Sequence, residues 1–422
     1  MAHEVKMSCS TARGFYYADN EPKKVYALFD IVPTDAVSHI TMPLNLALVL
    51  DRSGSMTGEK IENLKKAVHL VIDRLGAHDQ IAMISFDDVS EIPIHSQKAT
   101  KIGALKGAVD SLTPRNGTQM SLGMKDGMDQ LLTANVPDAV SRMILLTDGQ
   151  TWGDDELCLE IAGQCQERGI PITALGLGND WNEKLLTGIA DKTVMHGGMA
   201  AYLNDPADIA TAFTQSVAIM QACVVRNSYL TIRLVKGITP QRVWRVSPLL
   251  SELSPAVMGE RDIQVPLGDL ERGVGQSVLV ELVTQSRPTG VARLAQASLT
   301  YDVPTTGVTG AAVESNLVVT FVNDLAQTTH SDARVEKLVQ EARVHQLKTR
   351  ALQSEQDGDL TQAARFTRQA ATMLLGSGDA AGAQTLQNQT VLLEQGQETS
   401  TEYKKEVKMG QATVRLTRRL GQ

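Results

Sequence analysis

Across residues 44–222, apolar runs of strand length alternate with longer segments of helical period, a pattern that few architectures accommodate. The runs 44–50, 80–86, 143–147 and 170–175 are nearly continuous in apolar residues, as strands covered on both faces must be. Between the first two, Ile61, Leu64, Val68, Val71, Ile72 and Leu75 recur at helical spacing and share one side of a helix. Strand, helix and strand in this order predict a doubly wound, mainly parallel, Rossmann-like sheet with helices on both faces.

The flanks have another period. In residues 1–43, Val25, Ala27, Phe29 and Ile31 alternate with other residues, and Pro33 and Pro43 punctuate the exit. The same two-residue period returns in residues 223–323, for example at Leu230, Ile232 and Leu234, at Val278, Val280 and Leu282, and at Leu317, Val319 and Phe321. Gly, Pro and polar turns separate these runs, which predicts an antiparallel β-sandwich. The shared style suggests that residues 1–43 complete that sandwich, so that the α/β unit is an insertion in it. Residues 324–398 turn helical, with stops and fresh N-caps at Gly358-Asp359 and Gly378-Asp379, and read as a small bundle of three helices. In residues 399–422, Lys404, Lys405, Lys408, Arg415, Arg418 and Arg419 stand against Glu402 and Glu406, a local balance of 6 − 2 = +4. A solvated basic C-terminal tail is expected there. The fold class is multidomain: α/β plus all-β plus α, in keeping with a chain of 422 residues.

Composition narrows function mainly by exclusion. Hydrophobic residues at 42% and charged residues at 21% suit packed cores and exclude a disordered or fibrous chain. A formal net charge of −8 removes the electrostatic footprint of a nucleic-acid binder. The best apolar run, 44–50, is strand-sized and contains Asn45, so no membrane span is expected. Residues 1–20 carry no apolar core behind a basic start, which points to a cytoplasmic protein. Cys9, Cys158, Cys165 and Cys223 form neither a disulfide framework nor a C-x-x-C pair. Cys158 and Cys165 share one helix at a rise of about 10 Å, too far apart to bridge.

The chemistry is concentrated where buried strands end. The first run terminates in Asp51-Arg52-Ser53-Gly54-Ser55, and ligands of doubly wound sheets bind outside the carboxyl ends of the strands. A carboxylate and two hydroxyls on a Gly-containing turn converge their oxygens on one point. Gly117-Thr118, just before another helix, offers a third hydroxyl, and the run 143–147 ends in Asp148-Gly149. Asp51, Ser53, Ser55, Thr118 and Asp148 are all oxygen donors without His or Cys in motif spacing. That chemistry favours Mg²⁺, with Mn²⁺ and Ca²⁺ behind it, over zinc.

Asp51-x-Ser53-x-Ser55, the Gly117-Thr118 loop and the Thr147-Asp148-Gly149 strand end resemble the metal-ion-dependent adhesion site of von Willebrand factor type A domains, over about residues 44–222. The resemblance implies Mg²⁺-dependent binding of another protein through an Asp or Glu side chain that completes the metal's coordination. It also implies direct coordination by Ser53, Ser55 and Thr118, with Asp51 and Asp148 acting directly or through water. The flanking sandwich and helices are similar to those of larger proteins of this kind, including intracellular bacterial ones. In family members the last helix of the domain slides on ligand binding, so residues 205–222 would pass that movement to the sandwich.

The favoured function is therefore a non-enzymatic interaction or scaffold module. The alternatives are a metal-dependent hydrolase or phosphotransfer enzyme using the same cation, and an accessory subunit of an AAA+ ATPase assembly. An enzyme needs a base or nucleophile, and no G-x-S-x-G elbow or H-E-x-x-H spacing supplies one. Asp87-Asp88 reads as an exposed turn after the strand 80–86, Gly176-x-Gly178 as a tight turn, and His69 as a packed or surface residue. Met120, Met124 and Met128 read as an adaptable core face. Partner identity and oligomeric state are not encoded in any of these features.

Overall fold

The structure, a computed structural model, describes residues 4–417 apart from 20, 135, 137, 152, 179, 254–255 and 259–260. Three strands come first: β1 (Val5–Thr11), β2 (Phe15–Tyr17) and β3 (Lys23–Pro33). The alternating unit follows as β4 (Leu44–Asp51), α1 (Glu59–Arg74), β5 (Gln80–Phe86), β6 (Ser90–Lys98), α2 (Ile102–Asp110) and α3 (Met120–Ala134). It continues with β7 (Val140–Thr147), α4 (Asp155–Glu167), β8 (Ile172–Leu177), α5 (Glu183–Lys192), β9 (Met199–Leu203) and α6 (Asp208–Gln221). Strands resume with β10 (Cys223–Leu234), β11 (Ile238–Ser247), β12 (Ser251–Leu253), β13 (Ala256–Met258), β14 (Asp262–Glu271), β15 (Gln276–Thr284), β16 (Gly290–Val303) and β17 (Val308–Val322). Four helices close the chain: α7 (Ala333–Gln356), α8 (Leu360–Gly376), α9 (Ala380–Glu394) and α10 (Thr401–Thr417).

The α/β sheet has the order β6-β5-β4-β7-β8-β9 and is parallel except for β6, which runs back along β5. β4 lies inside it, and all eight of its residues are buried. Leu44, Leu46, Leu48 and Leu50 face a core shared with Leu64 and Val68 of α1 and Phe213 and Val217 of α6. Ala47 and Val49 face the opposite way, onto Met120, Met124 and Met128 of α3. A central strand covered on both faces explains the uninterrupted apolar run.

The remaining strands form two sheets, β1-β3-β15-β11-β12 and β13-β14-β10-β16-β17-β2. Phe29 and Ile31 of one share a core with Ile232, Leu299 and Phe321 of the other. The first three strands divide between them. β3 pairs with β15, Phe29 opposite Val278, whereas β2 adds to β17 in parallel. The α/β unit therefore leaves the sandwich after β3 and returns at β10. Arg272, in the turn between β14 and β15, holds both crossings: its guanidinium donates to the Ser38 and Gln221 carbonyls, and its backbone N–H donates to Ala222 O at 2.7 Å.

The expectation for the C-terminus needs correction. The helical part has four helices, and residues 401–417 form α10, which packs against the protein where a solvated tail was expected. Tyr403, Met409, Ala412 and Leu416 lie on its buried side, and Thr413 Oγ1 accepts from the Tyr202 N–H at 3.0 Å. Its cations are engaged: Lys404 with Glu355 and Glu398, each at 2.7 Å, Lys408 with Glu183 at 2.9 Å, Arg415 with Glu271, and Lys405 over the Trp181 ring at 4.9 Å. Arg418 and Arg419 lie outside the described residues. A count of charges hides the helical spacing of the apolar residues between them. The two Gly-Asp pairs do start helices, with Asp359 and Asp379 accepting from the N–H groups of Gln362 and Gly382, each at 2.9 Å. Among the described residues, no helix is long and apolar enough to cross a membrane.

Candidate metal centre

Four of the five expected oxygen donors form a continuous hydrogen-bonded chain. Asp51 ends β4 fully buried, its Oδ1 accepting from the Ser53 N–H at 2.7 Å and its Oδ2 from Thr147 Oγ1 at 2.6 Å. Ser53 Oγ lies 3.0 Å from Ser55 Oγ, which donates to Asp148 Oδ1 at 2.6 Å. β4 and β7 are parallel neighbours, so their last residues deliver Asp51 and Asp148 side by side. Thr118 is buried on the loop before α3, but no hydrogen bond joins its hydroxyl to this chain; its carbonyl accepts from Thr151 Oγ1 at 3.1 Å. Its loop is nonetheless adjacent: a Cβ on Gly54 would sit 3.2 Å from Asn116 Oδ1.

Two features hold these loops. Gly117 adopts φ +88°, a conformation that favours glycine, and a Cβ there would displace the exposed Asp88 carboxylate, whose Oδ1 would lie 1.6 Å away. Arg52, between the first two donors, is buried with Nε 2.7 Å from Asp87 and Nη1 2.7 Å from Glu91, which also pairs with Arg115 at 2.8 Å. This corrects the reading of Asp87-Asp88 as an exposed turn. Asp88 is exposed, whereas Asp87 is 3% exposed because it neutralises Arg52. Gly176 lies within β8 where a turn was expected, and a ring requires it, since a Cβ would fall 2.3 Å from Trp181; the left-handed φ of +75° belongs to Gly178. His69 pairs with Asp110 at 3.0 Å.

The electrostatics call for positive charge. Burial pushes the Asp51 carboxyl up to about 6; hydrogen bonds from Thr147 and Ser53 oppose the rise, and Asp148 adds to it. Asp148 meets a cation supplied by the chain itself, the Lys60 ammonium from the first turn of α1, which contacts Oδ2. Sequence reasoning passed over Lys60 because it lies outside the pentad. The available signal was a cation one helical turn behind a Gly-rich loop. The donor set is made of three hydroxyls and two carboxylates, and among the described residues no group of three or more His, Cys, Asp or Glu is placed to hold a metal ion. Oxygen donors around two buried carboxylates, one already touching an ammonium, fit a hard divalent cation.

Residues 45–215 match the von Willebrand factor type A domain family, and residues 333–420 match the Sll0103-like C-terminal alpha-helical domain. The protein sll0103 of Synechocystis is 31% identical over 276 residues, 64% of each chain, and YfbK of Escherichia coli is 27% identical over 167 residues, 38% of this chain and 29% of that one. The chain thus spans less than two thirds of the length of these relatives. A solved von Willebrand factor type A protein from Catenulispora acidiphila superposes with a TM-score of 0.76 over 99% of this chain and 97% of its own, at 19% identity, and so shares the fold. Domains of this type commonly mediate protein–protein interaction and often bind a divalent metal. The chain thus carries a von Willebrand factor type A domain over residues 45–215 and an Sll0103-like C-terminal alpha-helical domain over residues 333–420.

Proposed function

We propose that the chain is a Mg²⁺-dependent protein-binding module, in which Asp51, Ser53, Ser55, Thr118 and Asp148 hold the cation and a partner's Asp or Glu side chain docks on it. The observation that carries this reading is the hydrogen-bonded chain from buried Asp51 and Ser53 through the exposed Ser55 to buried Asp148, with the Lys60 ammonium against its far end. When bound, the divalent ion supplies a coordination position and a positive charge to an acidic side chain. The protein's own part is to orient hydroxyls through the Ser53–Ser55 contact, to fix Asp51 with Thr147, and to anchor the loop through Arg52. None of these roles requires a bond to be broken, which favours a binding module over a hydrolase.

Affinity capture from a lysate tests the proposal, comparing wild type in Mg²⁺, wild type in EDTA, and an Asp51→Ala variant shown to be folded by circular dichroism. A protein retained by the wild type in Mg²⁺ alone, and released when one of its own Asp or Glu residues is replaced, is the expected result. Identical captures in all three arms would overturn the reading.

Lys60 supplies a separate prediction. Its ammonium competes for Asp148, and a unit charge at contact distance is worth about 4 kcal/mol at an effective dielectric near 20, less for a side chain open to solvent. Lys60→Met is therefore expected to tighten Mg²⁺ binding by about tenfold, read by isothermal titration calorimetry. Unchanged or weaker binding would remove Lys60 from the site.

A further inference from the structure

Where α10, the sandwich and the lower edge of the α/β unit meet, they enclose a cavity of about 120 Å³. Arg142 on β7, Arg245 on β11, and Lys408 and Arg415 on α10 all line it. Arg142 precedes Asp148 by six residues on the same strand, which places it roughly 20 Å from the candidate metal centre. The two sites are at opposite ends of the sheet and do not share a side chain.

The cations of this cavity are unequally matched. Arg415 is paired with Glu271, Lys408 with Glu183 at 2.9 Å, and the nearby Asp269 is engaged by Arg226 at 3.5 Å. Arg142 and Arg245 are each only 5% exposed and form no ion pair at contact distance among the described residues, although Glu271 acts on both, and Asp269 on Arg142, from farther off. Arg142 donates from Nη1 to Thr173 Oγ1 at 3.0 Å and to Gly197 O at 3.2 Å, and Arg245 donates from Nη1 to Val194 O at 3.3 Å. The Nε of Arg142 and both Nε and Nη2 of Arg245 are buried without a hydrogen-bond partner in the protein. Asp191, the remaining carboxylate of the lining, is itself pushed up by burial and only partly held down by Lys408. Burial lowers Arg245 to about 10, so it stays charged at neutral pH.

Two buried guanidinium groups whose neighbouring carboxylates are already engaged by Arg415 and Arg226 favour a further counter-charge, because desolvation without pairing is costly. The planar fork of Arg is matched in shape and charge by an oxyanion. A cavity of about 120 Å³ has room for one small anion.

We propose that this cavity is a binding site for a small oxyanion of the phosphate class, held by the charges of Arg245 and Arg142 in its lining, at the junction of the three parts of the chain. Ile219 of α6 and Cys223 of β10 also line the cavity, so its occupant bridges the α/β unit, the sandwich and α10 directly. The site is independent of the Mg²⁺ reading.

The test is isothermal titration calorimetry of the full chain with inorganic phosphate, in a chloride buffer containing EDTA so that the metal centre plays no part. Parallel titrations use sulfate and malonate at matched ionic strength. Saturable binding of one phosphate per chain is expected, with sulfate similar and malonate weaker. Loss of charge-assisted hydrogen bonds predicts that Arg245→Gln weakens phosphate by about tenfold or more, while Arg233→Gln, an exposed control on β10, leaves it unchanged. If Arg245→Gln does not fold, Arg245→Lys keeps the charge without the fork and is expected to weaken binding by about tenfold. No saturable uptake of phosphate or sulfate by the wild type, or equal affinity in a folded Arg245 variant, would overturn the assignment. Binding of malonate in preference to phosphate would also overturn it, in favour of a carboxylate ligand.

Discussion

Asp51→Asn is expected to leave the metal-free protein at least as stable as the wild type while abolishing its response to Mg²⁺. The carboxylate is fully buried, and its charge is balanced by a backbone N–H and the Thr147 hydroxyl, with Asp148 nearby. The isosteric amide keeps an acceptor for the Ser53 N–H and discards the desolvated charge. A cation that binds only the folded state at about 100 times its dissociation constant stabilises by about 2.7 kcal/mol. For a domain of 150–250 residues that corresponds to about 5–10 °C. Differential scanning calorimetry with EDTA and with Mg²⁺ reads both effects. A variant that keeps the wild-type Mg²⁺ shift would show that Asp51 is no part of a cation site.

The second large effect concerns the loop's anchor. Arg52→Met would leave Asp87 buried with no cation in contact, and breaking a buried ion pair from one side costs about 3–5 kcal/mol. The same change frees Glu91 from one of its two arginines, but that carboxylate is half exposed and adds little. Combining Arg52→Met with Asp87→Asn removes the stranded charge, so the double variant is expected to recover part of the loss. Urea unfolding of the two single variants and the double closes this cycle. Strict additivity would mean that the pair does not act as a unit, and a loss below about 1 kcal/mol would place Arg52 with ordinary surface residues.

The sequence was most informative where burial is strongest. β4, β5, β7 and β8 are covered on both faces and therefore appear as apolar runs, and Asp51 and Asp148 stand out as carboxylates that end such runs. Edge strands lack that contrast. β6 is mostly half-exposed and carries Pro93 and polar residues, and β9 has only five residues, so neither registers as a strand by pattern. β2 has three residues and takes its place only through pairing with β17. In the site, chain neighbours were legible and spatial ones were not. Lys60 approaches Asp148 from 88 residues away, and Asp87 is buried because Arg52 arrives from another strand end. The misjudged tail has a similar cause: the partners of Lys408 and Arg415 are Glu183 and Glu271, which no local window contains.

The insertion of the α/β unit between β3 and β10 also sets a schedule for synthesis. The Ser277 hydroxyl bonds to Asp30 across 247 residues, so β3 leaves the ribosome long before β15 exists. At about 5–20 residues per second that interval is roughly 10–50 s. During it, the β1–β3 hairpin has an open edge along Val25, Ala27, Phe29 and Ile31, the kind of surface on which chains aggregate. The intervening unit owns a complete sheet and can fold in that time, bringing its two ends to the place where Arg272 later ties them. The nascent chain is therefore most vulnerable in the waiting hairpin, and a chaperone that shields residues 23–33 would protect the step on which the whole sandwich depends.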